Sequence, residues 1–177
     1  MATRTRSTWL IAVIYAGTLA AGTQATSVEA ADANNACGLL TASEIESVLG
    51  TNVALDGIAS MPGGNTQICM GQAASARVML RLVTGLNPGR DRSGSKEKAG
   101  MEVVKQMGGQ VEVKLFGPIV CSTVEPPASK PYMGYHTTCT VSKDTAMAGI
   151  EVTANNKKDM VPIERLRPLA EKMAGRF

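Results

Sequence analysis

The chain has 177 residues, with 18 lysines and arginines, 15 aspartates and glutamates, and a formal net charge of +3. This length allows a single domain. A charge so near balance, scattered along the chain, excludes the strongly basic surfaces with which proteins bind nucleic acids or anionic membranes.

The first 30 residues have the three parts of a secretory signal peptide: a basic start, a short apolar run and a small-residue end. Arg4 and Arg6 form the basic start, and the apolar run extends from Trp9 to about Ala21. A membrane-spanning anchor is the alternative, but small and polar residues dilute this stretch, whereas a span needs about 20 predominantly apolar residues. Residues 1–30 are therefore expected to be cleaved, which places the mature chain in the periplasm or outside the cell.

Cleavage after residue 30 removes two arginines and one glutamate, which leaves 16 basic and 14 acidic residues and a net charge near +2. A lipid anchor is not expected, because Asn34-Asn35-Ala36 precedes Cys37 where a lipoprotein signal has an aliphatic residue and small ones. Residues 31–36 are small and polar and are predicted to be disordered. Residues 37–177 then form the single domain.

The clearest local signal in this domain is a capping box. Thr41 and Glu44 have the spacing at which the threonine side chain accepts a backbone N–H of the first helical turn, while the glutamate accepts the N–H of Thr41. An apolar face follows, and Gly50 supplies the C-terminal stop. The pattern predicts a helix of two to three turns between Thr41 and Gly50.

The middle of the chain is less determined, because residues 51–75 are rich in glycine, alanine and asparagine. Alternating apolar residues predict a strand further on, and apolar residues at helical spacing predict a helix. In chain order we expect a turn at 61–65, a short strand at 67–72, a strand at 76–83, a polar loop at 87–95 and a helix at 96–107.

Three more strands and a helix are predicted after residue 109. Residues 110–115 alternate cleanly, and Val111, Val113 and Leu115 are expected to face inward. A proline-containing loop covers residues 125–133. Two alternating segments, 134–142 and 147–154, predict an antiparallel hairpin.

The hairpin is expected to turn at Lys143-Asp144. The chain then ends in a predicted helix from Pro162 to about Ala174, in which Pro168 should kink or restart the helix. The order is helix, one or two strands, helix, three strands and helix. This order predicts an α+β fold, a mostly antiparallel sheet with flanking helices.

All four cysteines lie beyond residue 30, and an even number in an exported chain predicts two disulfides. Four cysteines allow three pairings. We favour Cys37–Cys69 and Cys121–Cys139, because sequential pairing closes the shortest loops, each worth about 3–4 kcal/mol. A redox or zinc site is disfavoured, since the sequence has no Cys-x-x-Cys and a single histidine.

The segment Cys37-Gly38-Leu39-Leu40-Thr41-Ala42-Ser43-Glu44 resembles the opening of a group of small exported bacterial domains of unknown function. Their mature parts often begin Cys-x-Leu-Leu-Thr-x-x-Glu, ahead of a second cysteine in a strand, which Cys69 would be here. The C-terminal Leu166-x-x-Leu169-Ala170-Glu171-Lys172 resembles their final helix. The resemblance implies a PsbP-like α+β fold and no activity. This chain differs from many members in its second cysteine pair and in lacking a lipidation signal.

Residues that could carry chemistry are few. His136 is the only imidazole, and no nucleophile motif surrounds it, so a hydrolase using His136 is an alternative and not the leading hypothesis. Nine methionines lie beyond residue 30, but most fall on strand or helix positions, which favours packing over copper binding. Met61, Met70 and Met133 are the remaining candidates for a metal-binding protein.

The leading hypothesis is a non-enzymatic exported binding or accessory domain, a monomer without a cofactor. Loops on a rigid scaffold are where binding residues tend to lie, so we expect a protein or small ligand to be recognised by residues 60–68 and 123–134. The candidate binding residues in or directly beside these loops are Met61, Asn65, Tyr132 and Tyr135.

Overall fold

The computed structural model describes residues 35–60, 65–86 and 95–177, which build an antiparallel sheet of seven strands in the order β1-β2-β3-β7-β6-β5-β4. The strands are β1 Ala54–Ser60, β2 Thr66–Gln72, β3 Ala76–Val83, β4 Gln110–Phe116, β5 Ile119–Glu125, β6 Tyr135–Lys143 and β7 Ala146–Ala154. The predicted α+β class, with a mostly antiparallel sheet, is confirmed.

Three α-helices and three short 3₁₀ turns accompany the sheet in this part of the chain. The helices are α1 Ala42–Leu49, α2 Ser95–Gln106 and α3 Ile163–Ala174, and the 3₁₀ turns are Ala36–Gly38, Pro131–Met133 and Lys157–Asp159. None of the described helices combines the length and the hydropathy needed to cross a membrane.

The two faces of the sheet differ in what covers them. On one, the helical face, α3 packs across β5, β6 and β7, and the first 3₁₀ turn packs on β1, β2 and β3. The side chains between them form the hydrophobic core, which includes Leu80, Ile150, Val152, Leu166 and Leu169, all at most 1% exposed. The other face, the open face, carries the intervening residues of each strand.

Both disulfides join the predicted partners. Cys37–Cys69 ties the first 3₁₀ turn to β2, and Cys121–Cys139 joins directly opposed residues of β5 and β6. Both members of the second bridge, and Cys69 of the first, are fully buried on the helical face. The bridges therefore lie within the core.

The local predictions at the ends of the chain are also confirmed. Thr41 and Glu44 make both hydrogen bonds of the capping box, and Gly50 ends α1 in the left-handed conformation, with φ of 73°. Helix α3 begins one residue after Pro162. It is continuous through Pro168, which is exposed, so of the two expected outcomes a restart of the helix is not observed.

One prediction about side-chain direction is wrong. Val113 and Leu115 were expected to face inward, yet they are 48% and 72% exposed. Their neighbours Lys114 and Phe116 take the helical face, where Lys114 pairs with Glu164 of α3 and Phe116 lies under the guanidinium of Arg167. The alternation is present, but its apolar side belongs to the open face.

Several sequence predictions fall outside the described residues. These are the signal peptide at 1–30, most of the segment at 31–36, the greater part of the turn at 61–65 with Met61, and the polar loop at 87–94. Asn35 and Ala36, the last residues of the segment predicted to be disordered, belong to the fold. Asn35 caps the first 3₁₀ turn through its side chain, and Ala36 is fully buried.

Candidate functional site

A cluster of polar side chains lies on the open face where β6 pairs with β7. His136 is directly opposite Thr153, and Glu151 is one position further along on the same face. His136 Nδ1 lies 3.2 Å from Glu151 Oε1 and 3.1 Å from Thr153 Oγ1. Thr153 Oγ1 also donates to Glu151 Oε1 over 3.2 Å. The three side chains form one closed hydrogen-bond network.

The second ring nitrogen of His136 is bound to the backbone. Its Nε2 lies 2.6 Å from the carbonyl oxygen of Met133. Because a carbonyl can only accept, Nε2 carries a proton. When Nδ1 is also protonated, it donates to Glu151, and the imidazolium has an acceptor at each nitrogen.

This geometry shifts the pKa values of His136 and Glu151 in the directions that favour their charged forms. The hydrogen bond that Glu151 accepts from the imidazole raises the pKa of His136, against the opposing effect of partial burial, and the Met133 carbonyl raises it further. In turn, His136 lowers the pKa of Glu151, with smaller contributions from Thr153 and Arg81. The two side chains are 30% and 28% exposed, and this partial burial limits the screening of their attraction by water. Each group therefore favours the charged form of the other, an imidazolium beside a carboxylate.

We expect the single histidine resonance to titrate above the usual pKa of about 6.5, and Glu151→Gln to lower that pKa. A folded-state pKa above the unfolded value means that the pair stabilises the fold fully below pH ~6.5 and less as the pH rises through the folded value. NMR titration of the imidazole measures this without ambiguity, because the chain has one histidine. Glu102→Gln, an exposed change on α2, serves as control. An unshifted wild-type pKa would contradict the ion pair.

The same geometry is unsuited to nucleophilic catalysis. In a catalytic triad, the orienting carboxylate and the nucleophile occupy opposite nitrogens of the imidazole. Here Thr153 and Glu151 share Nδ1, and a backbone carbonyl occupies Nε2. Each nitrogen of His136 already has a hydrogen-bond partner within the chain, so a bound substrate would have to displace one of these partners to reach it. Its role in this arrangement is to connect strand and loop.

His136 is hydrogen-bonded to the turn that carries Tyr132, called the Tyr132 turn below. Residues Pro131–Met133 form a 3₁₀ turn that ends at Gly134, which has a positive φ of 77°. The bond from His136 to Met133 holds the end of this turn to the open face. Tyr132 projects from it with 81% of its surface exposed, the largest value among the exposed large apolar side chains of the described residues.

Beside the cluster, the open face has a shallow depression over Gly149. Its wall includes Met79, Arg81, Thr138, Thr140 and Glu151. Gly149 makes it possible, because an added Cβ would come within 3.0 Å of the Thr140 methyl group. The depression is open to solvent and too shallow to enclose a small molecule in the way that typical ligand pockets do.

The predicted binding residues do not come together. Tyr132 lies at the end of the sheet where β5 connects to β6, whereas Asn65 lies at the opposite end, where its carbonyl accepts the backbone N–H of Thr84. Tyr135 begins β6 on the helical face and is half-buried. Asn65 and Tyr132 are therefore separated by at least the length of the strands, roughly 20 Å for six or seven residues.

Candidate metal ligands are equally dispersed. Within the described ranges, no three His, Cys, Asp or Glu side chains are placed to hold one ion. Met70 and Met79 are opposed on the open face of β2 and β3. Met133 lies in the turn before β6, and β3 and β7 separate β2 from β6 in the sheet, so the two described candidates, Met70 and Met133, do not form a cluster.

Sequence reasoning missed Glu151 and Thr153 as partners of His136. Strand pairing within the predicted hairpin could have identified these partners. A turn at Lys143-Asp144 would set His136 directly opposite Glu151, and the observed turn at 144–145 sets it opposite Thr153 with Glu151 diagonal. Both registers keep the three residues on one face, because side chains of a strand alternate with a period of two.

No protein-family model matches the chain, and none of the curated proteins is significantly similar to it in sequence.

Proposed function

We propose that this chain is an exported, non-enzymatic binding domain with a PsbP-like fold, and that its partner is a protein that docks on the Tyr132 turn. The N-terminal leader and the two buried disulfides support export, since such bonds persist in oxidising compartments such as the periplasm or the extracellular space. The resemblance of its first and last helices to small exported bacterial domains supports the fold.

The observation that carries the proposal is the way Tyr132 is held. A polar cluster with both imidazole nitrogens engaged fixes the turn, while the tyrosine itself is 81% exposed and contributes little to the core. Tyrosine offers a large, partly polar contact area at low entropic cost, and it is enriched among the residues that dominate binding energy. An exposed aromatic side chain on a turn that is held rigidly is typical of a protein-binding surface.

The shape of the surface around the Tyr132 turn favours a protein partner over a small-molecule ligand. Small-molecule sites are concave and bury most of their ligand, whereas the depression beside the cluster is shallow and open. Protein interfaces need no cavity and commonly consist of a central aromatic residue with a polar rim. Lys130, which precedes the turn, supplies a charge close to it, while Glu125 at the end of β5 is paired with Lys157 at 2.7 Å.

A photo-crosslinking amino acid at position 132 tests this in the native host. We expect a discrete crosslinked species at 132 that is absent at position 103, because Val103 on α2 is 52% exposed but lies outside the proposed surface. Tyr132→Ala should leave the free energy of unfolding within about 0.5 kcal/mol of wild type, as expected for an exposed side chain.

Purified partner should then bind the Tyr132→Ala variant at least tenfold more weakly than wild type. Equal crosslinking at both positions, or unchanged affinity of the alanine variant for the identified partner, would exclude the Tyr132 turn as the binding surface.

A further inference from the structure

The two edge strands of the sheet differ in how they are protected against pairing with other strands. On β1 the register shifts between Asp56 and Ile58, and Gly57 has a positive φ of 42°. Such a bulge twists an edge and blocks further pairing. On β4 the register with β5 is continuous over all seven residues. The outer side of β4 is a regular edge with no partner among the described strands.

The backbone direction of β4 follows from the strands next to it. The Cα atoms of Cys121 and Cys139 are 4.1 Å apart, the shorter of the two spacings in antiparallel pairs, which belongs to residues that exchange no hydrogen bonds. Cys121 therefore directs its N–H and C=O to β4, where Lys114 is its partner. Alternation then directs the backbone groups of Val111, Val113 and Leu115 to the open edge.

We infer that a second copy of this chain pairs with β4, antiparallel and about a two-fold axis at Val113. This register sets Val113 opposite Val113 of the second copy and Val111 opposite Leu115. Each is a residue whose backbone groups point outward, so all of them can exchange hydrogen bonds across the axis. The exposed apolar side chains, with Val113 at 48% and Leu115 at 72%, would then form cross-strand pairs.

Charge complementarity selects both the occupant and the register. With Val113 on the axis, Glu112 of each copy meets Lys114 of the other on the helical face. These side chains are 57% and 39% exposed and lie 3.1 Å apart within one chain. Moving the axis to residue 112 or 114 would set a like-charged pair on it, which is unfavourable. The strand is complementary to itself in one register.

The dimer would extend the exposed apolar surface of the open face into a shared one. Val120 of β5, opposite Leu115, is 38% exposed, and Val124, opposite Val111, is partly buried. Exposed apolar edges of this kind usually mark an interaction site or an aggregation site. In the dimer the β4 edges of the two copies cover each other. The β1 edges are bulged, so no regular edge is left to pair with a further strand. This inference does not depend on the Tyr132 turn.

Charge exchange tests it with the full oxidised chain. In sedimentation equilibrium we expect wild type to form dimers, and Glu112→Lys or Lys114→Glu alone to raise the dissociation constant about tenfold by opposing like charges at two symmetric positions. The double exchange restores self-complementarity and should restore dimerisation. An equimolar mixture of the two single variants should form a heterodimer, since both cross-strand pairs between positions 112 and 114 are then opposite in charge.

A crosslink at the axis reports on the register. Opposed residues that exchange hydrogen bonds have Cα atoms about 5.5 Å apart, within the range of a disulfide. Val113→Cys should therefore give a covalent dimer on oxidation, and Val103→Cys should not. A wild-type chain that is monomeric at all concentrations would overturn the inference. So would a dimer that is indifferent to all the charge exchanges, which would indicate another interface or a different strand partner.

Discussion

Replacing both Cys37 and Cys69 by alanine is expected to lower the free energy of unfolding by about 3–4 kcal/mol. The bridge spans 32 residues, and in the chain-entropy model a closed loop of that size removes this much freedom from the unfolded chain. Urea denaturation of the double variant, compared with oxidised wild type, measures the loss.

The same substitution should also have a local effect, because the bridge holds the first 3₁₀ turn against the sheet. Apart from it, the backbone N–H of Ala36 donates to the side chain of Gln67 over 3.1 Å, and fully buried Leu39 packs in the core. We expect faster amide exchange at Ala36 and Leu39 in this variant. The Cys121→Ala/Cys139→Ala variant is the matched control, since its bridge joins strands that also pair through their backbones. Equal exchange in both variants would contradict this role.

Glu44→Gln is expected to cost about 2 kcal/mol at neutral pH. Glu44 accepts hydrogen bonds from Arg176 to both of its carboxylate oxygens at 2.8 Å, and from the backbone N–H of Thr41 and the ammonium of Lys172. The Arg176 contact is the main cause that lowers the pKa of Glu44 to about 2. A shift of this size corresponds to about 3 kcal/mol, and we expect less because the partners remain partly in water.

The pH dependence of this loss has a defined sign. A folded-state pKa of about 2, against 4.5 for the isolated group, means that the stabilisation is complete above pH ~4.5 and disappears as the pH falls towards 2. The difference in free energy of unfolding between wild type and Glu44→Gln should shrink over that window. Glu102→Gln, whose carboxylate is 61% exposed in a pair with Lys105, should differ from wild type by at most a few tenths of a kcal/mol. A pH-independent loss would contradict the ion pair.

Prediction from sequence was most successful where the signal is local. The capping box at Thr41, the alternation of β3 and of the β6–β7 hairpin, and the apolar stripe of α3 each lie within a few residues, and all are confirmed. Strand β1 was not predicted, because Gly57 and a bulge interrupt its alternation. Strand β5 has no alternating pattern, since residues on both of its faces are buried.

The candidate site was predicted in part. Tyr132 and His136 were singled out from the sequence, and the structure adds Glu151 as the ion-pair partner of His136. Asn65 and Tyr132 were assigned to one binding surface from the sequence, but they lie at opposite ends of the sheet. This separation was not predictable, because the proximity of two loops depends on which ends of the strands they connect. That follows only from the strand order.

The sequence by itself determined the class of fold and the position of the three described α-helices, because hydrophobic period and capping act over short distances. It favoured one of three possible cysteine pairings, which is the pairing found in the structure. Only the tertiary structure decided which side of a strand becomes the core. In β4 the valines and leucine were the natural choice for the interior. Helix α3 instead covers the side that bears Lys114 and Phe116, which pair with Glu164 and Arg167. Alternation shows which residues share a face, but the direction of that face depends on where a distant helix packs.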